Sequence, residues 1–200
     1  YLLKKILFFD KIMPNYFSKG LNPFVFDSIR ADVLYFDKTD SVLYAGNKTG
    51  LHLYKDRKKI QHRYASFNGL SFTDIDKDGQ GIFIATTLGD GVFFFNKDTV
   101  LNLNEKSGLT DNMCTSLFMQ NDSTVWVSTL NGLNRILYNY SDGELTGIKI
   151  RNFYRNDGLP SNYINDIYIY GDSVWLATNI GLAVFNEKDL PSYSYSPKMV

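Results

Sequence analysis

Few side chains in this sequence could carry chemistry, and each set stands alone. The run Asp74-Ile-Asp-Lys-Asp-Gly79 opens like a calcium loop, in which alternating carboxylates converge on one hard cation. The loop then fails, because its ninth position is Ile82 and its twelfth, where a bidentate Glu is required, is Ala85. Residues 76–79 read more simply as a hairpin between two strands. His52 and His62 have no third ligand of suitable type nearby, so neither a metal nor an acid-base role is indicated. Cys114 is the single cysteine and has no His partner within sequence reach. It reads as a buried thiol, and it excludes both an intramolecular disulfide framework and a cysteine-rich zinc site. The basic run Arg57-Lys58-Lys59 reads as a solvated turn, and the sequons at Asn47, Asn121 and Asn139 fall on turns. Paired carboxylates in one loop, a nucleophile elbow, a phosphate-cradling glycine loop and a histidine cluster are all missing from the sequence pattern. No catalytic residue, metal or cofactor is therefore expected, and the segment is read as a recognition surface rather than an enzyme.

The elements that position these residues follow from composition and period. The 200 residues carry 21 Lys+Arg against 21 Asp+Glu, with 44% hydrophobic and 16% aromatic residues. A zero net charge argues against a nucleic-acid partner, the hydrophobic share is that of a folded domain, and the aromatic share favours strands. The apolar stretches, such as Ile6 to Phe9 and Gly91 to Phe95, are far shorter than a membrane span requires. The chain opens with Tyr1 rather than Met and is expected to be cut from a longer protein.

Self-comparison exposes a repeat. Gly108-Leu-Thr-Asp-Asn-Met-Cys-Thr-Ser-Leu117, a polar turn and Val125-Trp-Val-Ser-Thr129-Leu-Asn-Gly-Leu133 match Gly158-Leu-Pro-Ser-Asn-Tyr-Ile-Asn-Asp-Ile167, a turn and Val174-Trp-Leu-Ala-Thr178-Asn-Ile-Gly-Leu182. Weaker copies contain Ile75 with Ile82-Phe-Ile-Ala-Thr86, and Val33 with Val42-Leu-Tyr-Ala-Gly46. Aligning Leu43, Phe83, Trp126 and Trp175 gives spacings of 40, 43 and 49 residues, the period of propeller blades. Each unit has room for four short antiparallel strands, the fourth supplied by residues 59–64, 99–103 and 149–154. The fold class is all-β. It comprises about four four-stranded antiparallel blades plus an N-terminal strand, and it forms part of a larger propeller. The blades are placed at residues 28–66, 67–106, 107–156 and 157–190, with a partial blade or closing strand at 1–27 and an exit segment at 191–200. The aligned set Leu43, Phe83, Trp126 and Trp175 is expected to be buried between sheets rather than to stack on sugars.

The pattern Gly-Leu-x-x-Asn, an apolar strand, an Asp-containing turn and Val-Trp-(Leu/Val)-(Ala/Ser)-Thr-x-x-Gly-Leu resembles the two-component regulator propeller repeat over roughly residues 28–190. The resemblance implies the sensor propeller of a bacterial hybrid two-component system or sensor histidine kinase. Such a segment would be periplasmic or otherwise extracytoplasmic, with an immunoglobulin-like domain, a membrane helix and signalling domains in other parts of the protein. Any membrane association would come through those other parts. The function this implies is sensing of an oligosaccharide or another polar small molecule, relayed to a histidine kinase. Two alternatives stand beside it. One is a propeller glycosidase or lyase whose carboxylates come from different blades, and the other is a scaffold whose face serves homodimerisation. The loops expected on one face are 47–50, 87–91, 130–132 and 179–181, with 68–72, 107–113 and 157–163. Within them Asn131 and Asn179 are the candidate ligand contacts, with Arg135 and Asn162 as neighbours.

Overall fold

The computed structural model describes residue 27 and residues 30–61, 64–141 and 144–189. The expected N-terminal strand, the exit segment and His62 lie outside them. The first sheet contains β1 (Val33–Asp37), β2 (Val42–Asn47), β3 (Gly50–Lys55) and β4 (Lys58–Ile60). The second contains β5 (Phe72–Lys77), β6 (Phe83–Thr87), β7 (Val92–Phe95) and β8 (Val100–Leu103). The third contains β9 (Cys114–Asn121), β10 (Thr124–Thr129), β11 (Gly132–Ser141) and β12 (Glu144–Phe153). The fourth has three described strands, β13 (Ile164–Tyr170), β14 (Ser173–Thr178) and β15 (Gly181–Asn186). Within every sheet the strands pair in chain order and antiparallel. The first strands β1, β5, β9 and β13 neighbour one another in succession along the inner edge. This is the expected all-β blade architecture, with Val33, Ile75, Leu117 and Ile167 on the inner strands. The helical pieces among the described residues are three-residue 3₁₀ turns.

A threonine closes the hairpin between second and third strands. Thr87, Thr129 and Thr178 each donate through Oγ1 to the carbonyl of the glycine opening the next strand, Gly91, Gly132 and Gly181, at 2.9, 2.8 and 2.7 Å. In the first sheet Asn47, paired with Gly50, occupies that place. Counting three residues back makes Tyr44, Ile84, Trp126 and Trp175 the equivalent positions. The sequence alignment of Leu43 and Phe83 with the tryptophans is therefore off by one residue. A one-residue slip in a strand exchanges its two faces, so Phe83 faces the first sheet, where its ring lies 4.6 Å from Tyr44 and stacks 5.1 Å from Phe95. The doublet Thr86-Thr87 and the longer loop before Gly91 conceal the true register in the sequence.

Three apolar layers hold the sheets together. Val33, Tyr44, Leu53, Phe67, Phe83 and Phe95 fill the space between the first and second sheets. Ile84, Phe94, Leu117, Val127 and Tyr138 fill the next, and Trp126, Phe153, Ile167, Val174 and Leu176 the third. Each fully buried side chain of this kind stabilises the fold by roughly 1.5 to 3 kcal/mol. Trp126 is 0% exposed, but Trp175 is 38% exposed, contrary to its expected burial. The reason is positional: the fourth sheet covers Trp126, while among the described residues no sheet covers the face that bears Trp175, Leu182 and Val184. A blade residue packs only against a neighbouring blade.

The fourth strands also differ from expectation. β4 is limited to Lys58–Ile60. β12 begins at Glu144 rather than near residue 149 and forms a ten-residue hairpin with β11. The longer hairpin reaches back to the second sheet, where Tyr138 Oη donates to Asp78 Oδ2 at 3.1 Å and Asn96 Nδ2 donates to Tyr140 Oη at 2.9 Å.

Candidate functional site

The Gly-Leu-x-x-Asn corners build one rim of the sheets. After β12 the chain makes the 3₁₀ turn Arg155–Asp157, which ends at Gly158 with φ of 105°, a left-handed position that glycine adopts without steric cost. Asn162 then ties two loops together: its Oδ1 accepts from Arg155 N–H at 2.6 Å, and its backbone carbonyl accepts from Gly132 N–H of the preceding sheet at 2.7 Å. Asn112 does the same one blade earlier, accepting from Glu105 N–H at 2.8 Å through Oδ1 and from Gly91 N–H at 3.0 Å through its carbonyl. The motif asparagine is thus a loop staple, which the sequence pattern does not reveal by itself.

This stapling brings three predicted residues onto one patch. Asn162 Nδ2 donates to Asn131 Oδ1 at 3.2 Å, Ser161 Oγ donates to Asn179 Oδ1 at 2.7 Å, and Asn179 N–H donates to the Tyr163 carbonyl at 3.2 Å. With their oxygens occupied, the side-chain amide nitrogens of Asn131 and Asn179 have no hydrogen-bond partner among the described residues. Tyr163 and Ile180 stand beside them, 41% and 67% exposed. The arrangement offers amide donors for ligand hydroxyls and an aromatic face for a ring. Ser161 and Tyr163 carry no distinguishing signal in the sequence, since both lie inside an ordinary-looking turn.

Arg135 is not part of this patch. It projects from β11 between the third and fourth sheets, where Nη2 pairs with Glu187 Oε1 at 2.7 Å and the guanidinium lies 5.6 Å from the Trp126 ring. Gln120 links the pair to the indole, accepting from Trp126 Nε1 at 2.9 Å and donating to Glu187 Oε2 at 2.6 Å. Arg135 fixes an inter-sheet seam.

A second polar place opens at the inner edge, a cleft of about 180 Å³ lined by Thr73, Thr115, Ser116, Asn165 and Asp166. Ser116 Oγ lies 3.0 Å from Asp74 Oδ2 and 2.7 Å from Asp166 Oδ1. Two carboxylates bound to one hydroxyl are no further apart than the ~5 to 10 Å used by glycosidase pairs. Ser116 fills the space between them, however, and Asp74 is buried and accepts from the backbone N–H groups of Ile75 and Leu117 at 2.9 and 3.2 Å. Thr73 and Thr115 donate to the carbonyls of Cys114 and Ile164, at 2.9 and 2.7 Å. The set knits three inner strands to one another.

The calcium-like run disperses. Asp78 Oδ1 accepts from Gln80 and Ile82 N–H at 2.9 and 2.8 Å, its other oxygen takes Tyr138, and Asp76 Oδ1 accepts from Lys77 N–H at 2.8 Å. Among the described residues no group of three or more His, Cys, Asp or Glu side chains is placed to hold a metal ion. His52 Nε2 lies 3.4 Å from Thr49 Oγ1. Burial, and then the nearby Asp111, push the Cys114 thiol above its ordinary range.

No protein-family model and no curated relative matches this sequence. Solved structures do. The chain is similar to the extracellular domain of a protein from B. thetaiotaomicron described as a hybrid two component system, with 24% identity and a TM-score of 0.56 over 80% of this chain and 23% of that one. It is also similar to two structures of another extracellular domain from that organism, described once as a hybrid two component system and once as a one component system. These are 17% and 18% identical, each with a TM-score of 0.63, over 81% and 86% of this chain and 24% and 25% of theirs. The chain spans about a quarter of the length of those domains. At these identities the likeness establishes the fold.

Proposed function

We propose that this propeller segment is an extracytoplasmic sensor module that binds an oligosaccharide or a similar hydroxyl-rich ligand without transforming it. Binding would be relayed to a histidine kinase elsewhere in the protein. The observation that carries this reading is the rim patch, where two asparagine amides with outward donors lie beside an exposed tyrosine. Neutral donors and an aromatic face suit a polyhydroxylated ring. The structural neighbours are described as extracellular domains of signalling systems, and among the described residues no helix is long and apolar enough to cross a membrane. Both facts agree with the reading.

The glycosidase alternative has one observation in its favour, the Asp74–Ser116–Asp166 arrangement. Its weakness is that Asp74 is spent on backbone N–H groups and Ser116 occupies the place a reacting atom would need. The scaffold alternative has no comparable observation. The reading is tested by a thermal-shift screen of the protein against defined oligosaccharides, with chromatographic analysis of the same mixtures. Selective stabilisation with intact oligosaccharide supports the sensor reading. Release of shorter products overturns it in favour of the enzyme.

A further inference from the structure

We infer that the hairpin at the outer edge of the first sheet is a docking element for a linear anionic polysaccharide, a role independent of the rim patch. β3 ends at Lys55 and β4 begins at Lys58, so Asp56 and Arg57 alone join the strands. Their φ values are 50° and 64°, the two left-handed residues of a type I′ turn, which favours Asn-Gly or Asp-Gly. Arg57 stands where glycine would remove the backbone cost. In the ladder Lys55 lies directly opposite Lys58, and Lys59 opposite Tyr54. Like charges placed directly opposite destabilise a strand pair.

Lys55, Arg57, Lys58 and Lys59 are all exposed. Among the described residues no ion pair reaches the three lysines, and Asp56 is the one acid in the hairpin. A left-handed arginine and an opposed lysine pair both weigh against the fold locally, and both concentrate positive charge at one tip. The equivalent hairpin of the second sheet instead sets Lys97 beside Asp98.

The shape of the charge selects the partner. Lys58 and Lys59 are successive strand residues and project to opposite faces, so a flat bilayer would meet only part of the set, whereas a flexible polymer can pass round the edge. A DNA duplex, with a persistence length of about 50 nm, is no better able than a bilayer to follow the edge of one hairpin. The neighbouring Tyr54 is 4% exposed and offers no platform for unpaired bases. Sulfate or carboxylate groups spaced along a polysaccharide satisfy such a short basic cluster.

The test uses heparin as the sulfated probe and dextran as the uncharged one, with binding measured across a salt series. The protein should bind heparin and not dextran. The K55Q/K58Q/K59Q variant should bind heparin at least about tenfold more weakly at low salt, and its slope of log affinity against log salt should be lower by about 3. Lys58→Gln alone should keep or raise the melting temperature, because it removes the opposed charge. Heparin binding that is absent, or unchanged in the triple variant, overturns the inference. Equal affinity for duplex DNA or phosphatidylserine vesicles does so as well, and a lower melting temperature of Lys58→Gln removes its electrostatic basis.

Discussion

Replacing Trp126 by Ala should unfold the protein far more readily than replacing Trp175, although the two occupy the same repeat position. Trp126 is 0% exposed, stacks 5.7 Å from Phe153 and donates its indole N–H to Gln120 at 2.9 Å. Truncating a buried large aromatic costs ~3 to 5 kcal/mol. Losing the indole donor also frees Gln120 within the Arg135–Glu187 seam, which adds about 1 kcal/mol. Trp175 has 38% of its surface in water and leaves no enclosed cavity, so its loss should cost no more than ~2 kcal/mol by area. Urea titration of both variants, with the midpoint and slope read separately, measures the difference. A loss below about 1 kcal/mol for Trp126→Ala, or equal losses for the two, would refute the packing argument.

Since the protein has only two tryptophans, single-Trp variants made with Phe should report opposite acrylamide accessibilities, low for Trp126 and high for Trp175; equal quenching would contradict the fourth sheet's placement. The buried Asp37 carboxylate takes Lys77 Nζ at 2.8 Å between the first two sheets; burial alone would raise its pKa, but the hydrogen bond from Lys77 and then that from Thr39 N–H hold it below the ordinary range. Its folded pKa lies below the unfolded value of about 3.9, so its contribution to stability is complete above that value and fades as pH falls through the folded one. Lys77→Met should flatten this acid-side loss in urea midpoints, and an unchanged profile would show that the pair is not its source. Gly91→Ala would set a Cβ 2.2 Å from the Leu103 carbonyl at φ of +78° and should cost more than ~2 kcal/mol, with a midpoint near wild type as the contrary result. The Cys114 thiol, buried and raised in pKa, should react with a thiol reagent at the unfolding rate, and fast reaction of the native protein would show it to be accessible.

The blade architecture is legible because hydrophobic alternation and turn residues agree across four units and the Gly-Leu corner recurs at Gly69, Gly108 and Gly158. The facing of single residues is not. Thr86-Thr87 offers two registers for one hairpin, and only the bond from Thr87 to Gly91 decides that Ile84, rather than Phe83, matches Trp126. Trp175 shows the same limit at the level of packing: the repeat specifies which face is apolar but not whether a sheet lies on it. At the rim, the proximity of Asn131, Asn162 and Asn179 follows from equivalent loops. Arg135 stands only four residues after Asn131, yet strand alternation turns its side chain between the sheets. Ser116 aligns with Asp166 in the repeat, which marks a small polar inner-strand position but not that its hydroxyl lies between Asp74 and Asp166.

Ligand binding at the proposed rim patch is measured by calorimetric titration of an oligosaccharide that stabilises the protein in the thermal screen. The Asn131→Ala/Asn179→Ala variant removes both outward amides while leaving the apolar layers intact. This variant should keep a melting temperature near that of the wild type and bind at least about tenfold more weakly, the effect of losing roughly one kcal/mol per hydrogen bond. Unchanged affinity in a folded double variant would show that the ligand binds elsewhere.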